Sequence, residues 1–170
     1  MEISEKEQKV YDIFNKLGIE YKTYHHEAVY TMEGVKELQK SFGDNVEDAK
    51  NIFLSARHGT EFYLLTLRGD MKFKAASISK QIGAPKMTFA KEEKMLEFLD
   101  IYPGAVTPLG LLNDSENSVN FLIDSDLLKY EKIAVHPCEN TATVVIKTKD
   151  LLEKILPYCN HTYKEVLIEE

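Results

Sequence analysis

Cysteine is scarce: Cys138 and Cys159 are the only two, far apart and without a partner motif. That excludes a disulfide framework and fits free thiols in a reducing compartment. No stretch nears the roughly 18 uninterrupted apolar residues of a membrane span. The start MEISEKEQKVYDIF carries charges where a secretory signal needs an apolar run, so a cytoplasmic protein without membrane attachment is expected. Positive charge is in deficit: 21 Lys and Arg face 28 Asp and Glu, a net charge of −7. Nonspecific nucleic-acid affinity comes from neutralising phosphates, so a general polyanion or DNA binder is excluded. The chain also lacks a phosphate-binding G-x-x-x-x-G-K-[ST] loop, a G-x-S-x-G elbow and a Rossmann glycine fingerprint. His25-His26, His58 and His161 form neither H-x-x-x-H nor, with the cysteines, C-x-x-C, so no metal site is expected.

What is present is a 170-residue chain, 44% hydrophobic and 29% charged, without repeat, linker or low-complexity run. One domain spanning residues 1–170 is expected. Its charge is uneven. From Lys50 to Lys94 nine basic residues face four acids, a local balance of +5 that leaves −12 elsewhere. Such a segment suits contact with one RNA end, although charge alone favours a set of solvated helix faces.

Ser4 and Glu7 read as a capping box; Val10, Ile13, Phe14 and Leu17 share a helical face that Gly18 ends. A strand over 19–24 follows, then a helix capped by Thr31 and running to about Lys40, the pair forming an entry wall. Strands over 50–56 and 62–67 flank the Arg57-His58-Gly59-Thr60 turn and make the clearest hairpin. Helices are expected over 73–82 and 90–99, and an irregular near-core stretch over 102–114. Strands over 119–123, 132–136 and 141–147, a short helix after Asp124 and a last helix over 148–156 complete the pattern. These elements describe an α+β fold, a mixed and strongly curved sheet flanked by helices.

Three stretches place polar groups beside apolar strands. Lys50 and Asn51 open an otherwise hydrophobic strand, so Lys50 is either drawn inward for use or reaches solvent by its long stem. Gly104-Ala105-Val106-Thr107-Pro108 offers backbone N–H groups that suit an oxyanion hole or a plain structural turn. His136, before Pro137, suits a polar contact or acid–base role, or is a hydrogen-bonded core histidine. Asn140 and Thr143 read as turn and sheet residues. Cys138, two residues from His136, has no signature of a thiol nucleophile around it.

Together KNIFL (50–54), PGAVTPLGLLND (103–114) and HPCENTATV (136–144) resemble, in order and spacing, the YbaK/ProX family of aminoacyl-tRNA editing domains. The segments LGIEYKTYHHEAVYTMEGV (17–35) and DLLEKIL (150–156) resemble its free-standing alanyl-tRNA(Pro) deacylase branch. The resemblance implies a partly barrel-like sheet. It also implies hydrolysis, without metal or organic cofactor, of the ester joining a wrong amino acid to the acceptor end of tRNA(Pro), with prolyl-tRNA synthetase as a candidate partner. By the same resemblance Lys50, Gly104 and His136 are catalytic, and Asn51, Val106, Thr107, Pro108, Asn140 and Thr143 bind substrate. Leu109 stands where the family often has Phe, and Cys138 where it often has Leu. The alternatives are a cysteinyl-tRNA(Pro) deacylase and a non-catalytic module that binds an amino acid or aminoacyl-tRNA.

Overall fold

In the computed structural model, which describes residues 2–28 and 32–169, helices surround a mixed eight-stranded sheet. Along the chain run α1 (Glu5–Leu17), β1 (Tyr21–His25), α2 (Met32–Ser41), β2 (Val46–Ala56), β3 (Glu61–Arg68), α3 (Ala75–Ile82), β4 (Thr88–Phe89) and α4 (Glu92–Leu99). A 3-10 turn (Pro108–Asn113), β5 (Val119–Asp124), a second 3-10 turn (Ser125–Lys129), β6 (Lys132–Val135), β7 (Ala142–Lys147), a C-terminal helix over 148–158 and β8 (Tyr163–Val166) follow. The strand order is β1-β7-β6-β2-β3-β5-β8, with β4 added on β2.

Period-two burial explains how this sheet curls. Phe62 and Leu64 of β3, Val119, Phe121 and Ile123 of β5, Ile133 and Val135 of β6, and Val144 and Ile146 of β7 all join one core with Val10, Tyr11 and Phe14 of α1. Both halves of the sheet therefore wrap the same interior, and each such side chain, fully buried, contributes about 1.5–3 kcal/mol. The alternate residues face outward. Leu54, Tyr63, Leu65 and Leu67 pack with Ile78 of α3, while Ala134 and Val145 pack with Phe42 and Leu38 at α2. The strongly curved sheet is thus present, with β1 and β8 at its two ends.

α1 forms as its sequence dictates. The Ser4 side chain accepts from the Glu7 backbone N–H, and Gly18 closes the helix in the left-handed region at φ 68°. Only half of the capping box exists, because the Glu7 carboxylate turns inward to Tyr11 at 2.5 Å and to His25 Nε2 at 2.8 Å. Several boundaries need correction. β1 runs over Tyr21–His25, not 19–24. β2 starts at Val46, not Lys50; α3 and α4 start two residues late; and the 50–56/62–67 hairpin extends by one residue at each end of its second strand. β4 and β8 escaped the sequence reading. The Thr31 cap lies outside the described residues.

β2 is the joint of the sheet. Its first residues pair in parallel with β6, Asp48 opposite Ala134, and from Ala49 onward it pairs antiparallel with β3. On the edge away from β3, β4 joins only at Leu54 and Ser55. Among the described residues no strand pairs with that edge between Asp48 and Leu54, which leaves the sheet split beside Lys50.

Candidate functional site

A cavity of about 640 Å³ lies where the sheet splits, under α2. It lies on the outward-facing side, because Asp48, Lys50, His136 and Thr143 occupy the strand positions that alternate with core residues. Val35 and Gln39 of α2, Phe42 and the Gly69-Asp70 turn complete the wall. Gly69 is required there: a Cβ would overlap the Asp48 carbonyl oxygen, so only glycine lets the turn after β3 lie against β2.

Lys50 is the fifth residue of β2, partly buried, and its ammonium donates to the Met71 carbonyl. The expected strand-end lysine is instead a mid-strand lysine whose head is held at the cavity by a neutral acceptor. His136 follows the last residue of β6. Its Nδ1 lies 2.7 Å from the Ala142 carbonyl oxygen and so carries the proton, which leaves Nε2 as an acceptor in the neutral ring. Burial pushes its pKa below the usual histidine value, against the opposing pull of that hydrogen bond and of Asp48. The ring is therefore neutral at neutral pH.

His26 and Asp48, neither singled out from sequence as site residues, complete the cluster. The His26 ring lies 6.1 Å from that of His136. Its Nδ1 sits 2.8 Å from the Glu27 carbonyl oxygen and its Nε2 2.8 Å from Thr143 Oγ1, so Nδ1 donates and Nε2 accepts the threonine hydroxyl. Asp48 accepts from Gln39 Nε2 at 2.9 Å. Burial raises the Asp48 carboxyl above its ordinary pKa, opposed by the Gln39 bond and by His136 and His26. The signal for both residues was strand parity. Asp48 precedes Lys50 by two and His26 follows Tyr24 by two, so each shares its partner's face.

Of the nine residues expected at the site, Lys50, Asn51, His136 and Thr143 border the cavity. Asn51 lies at its edge with Oδ1 committed to Thr66 at 2.5 Å. Gly104, Val106, Thr107, Pro108 and Asn140 do not line it. Gly104 has φ +90° and packs 3.5 Å from Asn140 Nδ2, measured from where its Cβ would be. The Ala105 N–H closes a turn on Tyr102. Thr107 is fully buried and caps the 3-10 turn by accepting from the Leu109 N–H at 3.2 Å, with Pro108 next in its first turn. Cys138 is buried, and burial pushes its thiol up to about 12, so it supplies no thiolate. His161 is held away from the site by Asp114 at 2.9 Å. Among the described residues no group of three His, Cys, Asp or Glu is placed to hold a metal, and no helix is long and apolar enough to cross a membrane.

The model of the aminoacyl-tRNA editing domain family matches residues 26–154. The chain is 36% identical over 160 residues to a prolyl-tRNA editing protein, ProX, of Acetoanaerobium sticklandii, covering 94% of this chain and 95% of that one. It is 33% identical over 153 residues to prolyl-tRNA synthetase associated domain-containing protein 1 of Danio rerio, covering 89% and 81%. A solved structure of a candidate trans-editing enzyme for prolyl-tRNA synthetase superposes with a TM-score of 0.72 at 17% identity, over 99% of this chain and all of that one, and shares the fold.

Proposed function

The chain belongs to the aminoacyl-tRNA editing domain family and is an aminoacyl-tRNA deacylase, and from that premise we propose that it acts in trans on tRNA(Pro) carrying a wrong small amino acid, alanine first. The observation that carries this reading is the meeting of Lys50, His136 and Thr143 around one cavity at the split of the sheet. Residues 1–170 act as one editing domain. The supporting contacts are those of α1 with the common core and of β8 with β5, both outside the matched segment.

An aminoacyl ester is already activated, so the site needs orientation and charge stabilisation more than a strong nucleophile. Lys50 exchanges the Met71 carbonyl for a terminal phosphate or for the ester oxygen as it gains negative charge, since an ammonium pairs more strongly with an anionic oxygen than with a neutral carbonyl. Neutral His136 presents Nε2 to the substrate's ammonium group or to the attacking water and shapes the amino-acid pocket. The Gly104 loop, outside the cavity lining, is the source of backbone donors for the developing oxyanion once substrate reaches it; its support is the left-handed φ at Gly104 and its contact with Asn140, four residues beyond His136. Asn51 and Thr143 position the substrate, and Val106, Thr107 and Pro108 hold the Gly104 loop in shape. The attacking group is water, and no step calls for a cofactor. A second sieve of this kind hydrolyses what fits and excludes the cognate proline, correcting an error the synthesis site is too weak to prevent. Prolyl-tRNA synthetase is the partner whose product it clears.

Single-turnover deacylation of Ala-tRNA(Pro) by wild type and Lys50→Ala, with tRNA affinity measured in parallel, tests this. The expected result is a loss of about 10²-fold or more in rate with most of the affinity retained. Hydrolysis unaffected by the substitution removes Lys50 from the mechanism, and a wild type that binds without cleaving makes the protein a binding module.

A further inference from the structure

The site leaves one surface unused. Residues 72–94 carry six lysines against Glu92 and Glu93, in a chain with a net charge of −7. The arginines of the wider basic stretch are occupied: Arg57 by Glu61, and Arg68 by Asp124 at 2.7 Å and Asp126 at 3.2 Å. Lysine is therefore the basic residue of this surface, and an aromatic ring stands among it. Phe89 is 67% exposed and lies edge-on to Phe73 at 5.7 Å between centroids. A lone exposed phenylalanine is ordinary. A paired one bordering a hollow of about 430 Å³ with His58, Lys86, Lys91 and Lys94 is a built surface.

Its position ties it to the cavity. Phe89 pairs with Leu54 of β2, on the strand edge whose other end, at Asp48, borders the cavity. Lys50 to Leu54 spans about 13 Å at about 3.3 Å per residue. Phe73, in turn, is two residues beyond Met71, whose carbonyl holds Lys50.

We propose that this face docks the RNA chain that leads to the ester. Phe89 stacks on an unpaired base a few nucleotides from the acylated end, Phe73 backs the ring, and Lys86, Lys91 and Lys94 meet phosphates. This deepens the functional reading and rests on it. An exposed ring takes the face of any base, and lysines around it track a phosphate backbone. Stacked as in one strand of a duplex, at about 3.4 Å each, about four nucleotides cover this span. Lys94 now shares Glu97 at 3.2 Å, an exposed contact that a phosphate readily replaces.

The test is binding of an uncharged RNA hairpin with a four-nucleotide unpaired 3′ tail, followed by fluorescence anisotropy, beside the same hairpin without the tail. Phe89→Ala is expected to weaken binding of the tailed hairpin about tenfold, and Phe89→Trp to retain it. Replacing Lys91 and Lys94 together by Ala lowers the salt slope of binding by about two. The hairpin without a tail is bound equally by wild type and Phe89→Ala. Equal binding of the tailed hairpin by wild type and Phe89→Ala overturns the proposal, as does an equal loss on both hairpins. So does a Phe89→Ala variant that keeps its RNA affinity and loses only a complex with the synthetase, because the face is then a protein interface. The two readings fail separately: tail-dependent binding without deacylation of the charged RNA removes the enzyme and keeps the docking face, whereas deacylation with Phe89-independent binding does the reverse.

Discussion

Gly69 and Asp48 show how tightly the site is built into the sheet. Gly69 lies directly against the Asp48 carbonyl, so Gly69→Ala forces backbone apart where β2 changes partners. Overpacking of this kind costs about 1–3 kcal/mol. The expected Tm loss is about 2–4 °C per kcal/mol, read by thermal unfolding, together with slower hydrolysis because Lys50 sits two residues from the displaced carbonyl. Asp48 makes an opposite prediction. Its carboxyl has a raised pKa in the folded protein, so the folded state holds the proton longer than the unfolded one. Stability from this group is full below the ordinary carboxylate value of about 4 and is lost as pH rises through the folded value. Asp48→Asn is therefore expected to raise Tm at pH 7, with the difference from wild type closing toward pH 4; an equal gain at both values contradicts the assignment. Lys50 and His136 stood out in the sequence as polar groups beside hydrophobic strands, whereas Thr143 reads as a sheet residue and entered only through the family resemblance. His26 and Asp48 did not stand out: one stands beside His25, which turns inward to Glu7, and the other lies in a stretch to which the sequence pattern assigns no element.

That stretch, Val46 to Ala49, carries two acids and little β-propensity, and it becomes strand through parallel pairing with β6, a contact over eighty residues away that periodicity does not carry. β4 has two residues, too few for any pattern, and is made by the edge of β2 it joins. β8 is mostly exposed outside Val166 and owes its form to pairing with β5. Elements whose information is local came through intact. α1, with its serine cap, apolar face and terminal glycine, is the best case, and Ser4→Ala is expected to cost about 1 kcal/mol, measured by denaturant unfolding with unchanged deacylation. The 102–114 stretch was also read correctly as near-core: Leu109 and Leu111 are fully buried. Its Gly104-to-Pro108 part does not line the cavity, because Thr107 and Pro108 start a buried 3-10 turn.

Across the whole molecule the sheet separates two duties. Its inner face closes one core with α1 and the C-terminal helix, while its outer face, where α2 stands off the split, carries the ionisable cluster. The basic excess between Lys50 and Lys94, ambiguous in sequence, resolves into paired arginines, Lys50 at the cavity, and lysines bordering a hollow beside an aromatic pair. An acidic protein can thus meet one RNA end without general affinity for polyanions. The measurement that bears most directly on this account is the deacylation rate of Ala-, Cys-, Ser- and Pro-tRNA(Pro) by the wild-type protein at equal concentration. The account expects rapid loss of alanine and an intact prolyl ester; preference for cysteine would change the substrate but keep the enzyme, and hydrolysis of the prolyl ester as fast as the alanyl one would contradict editing.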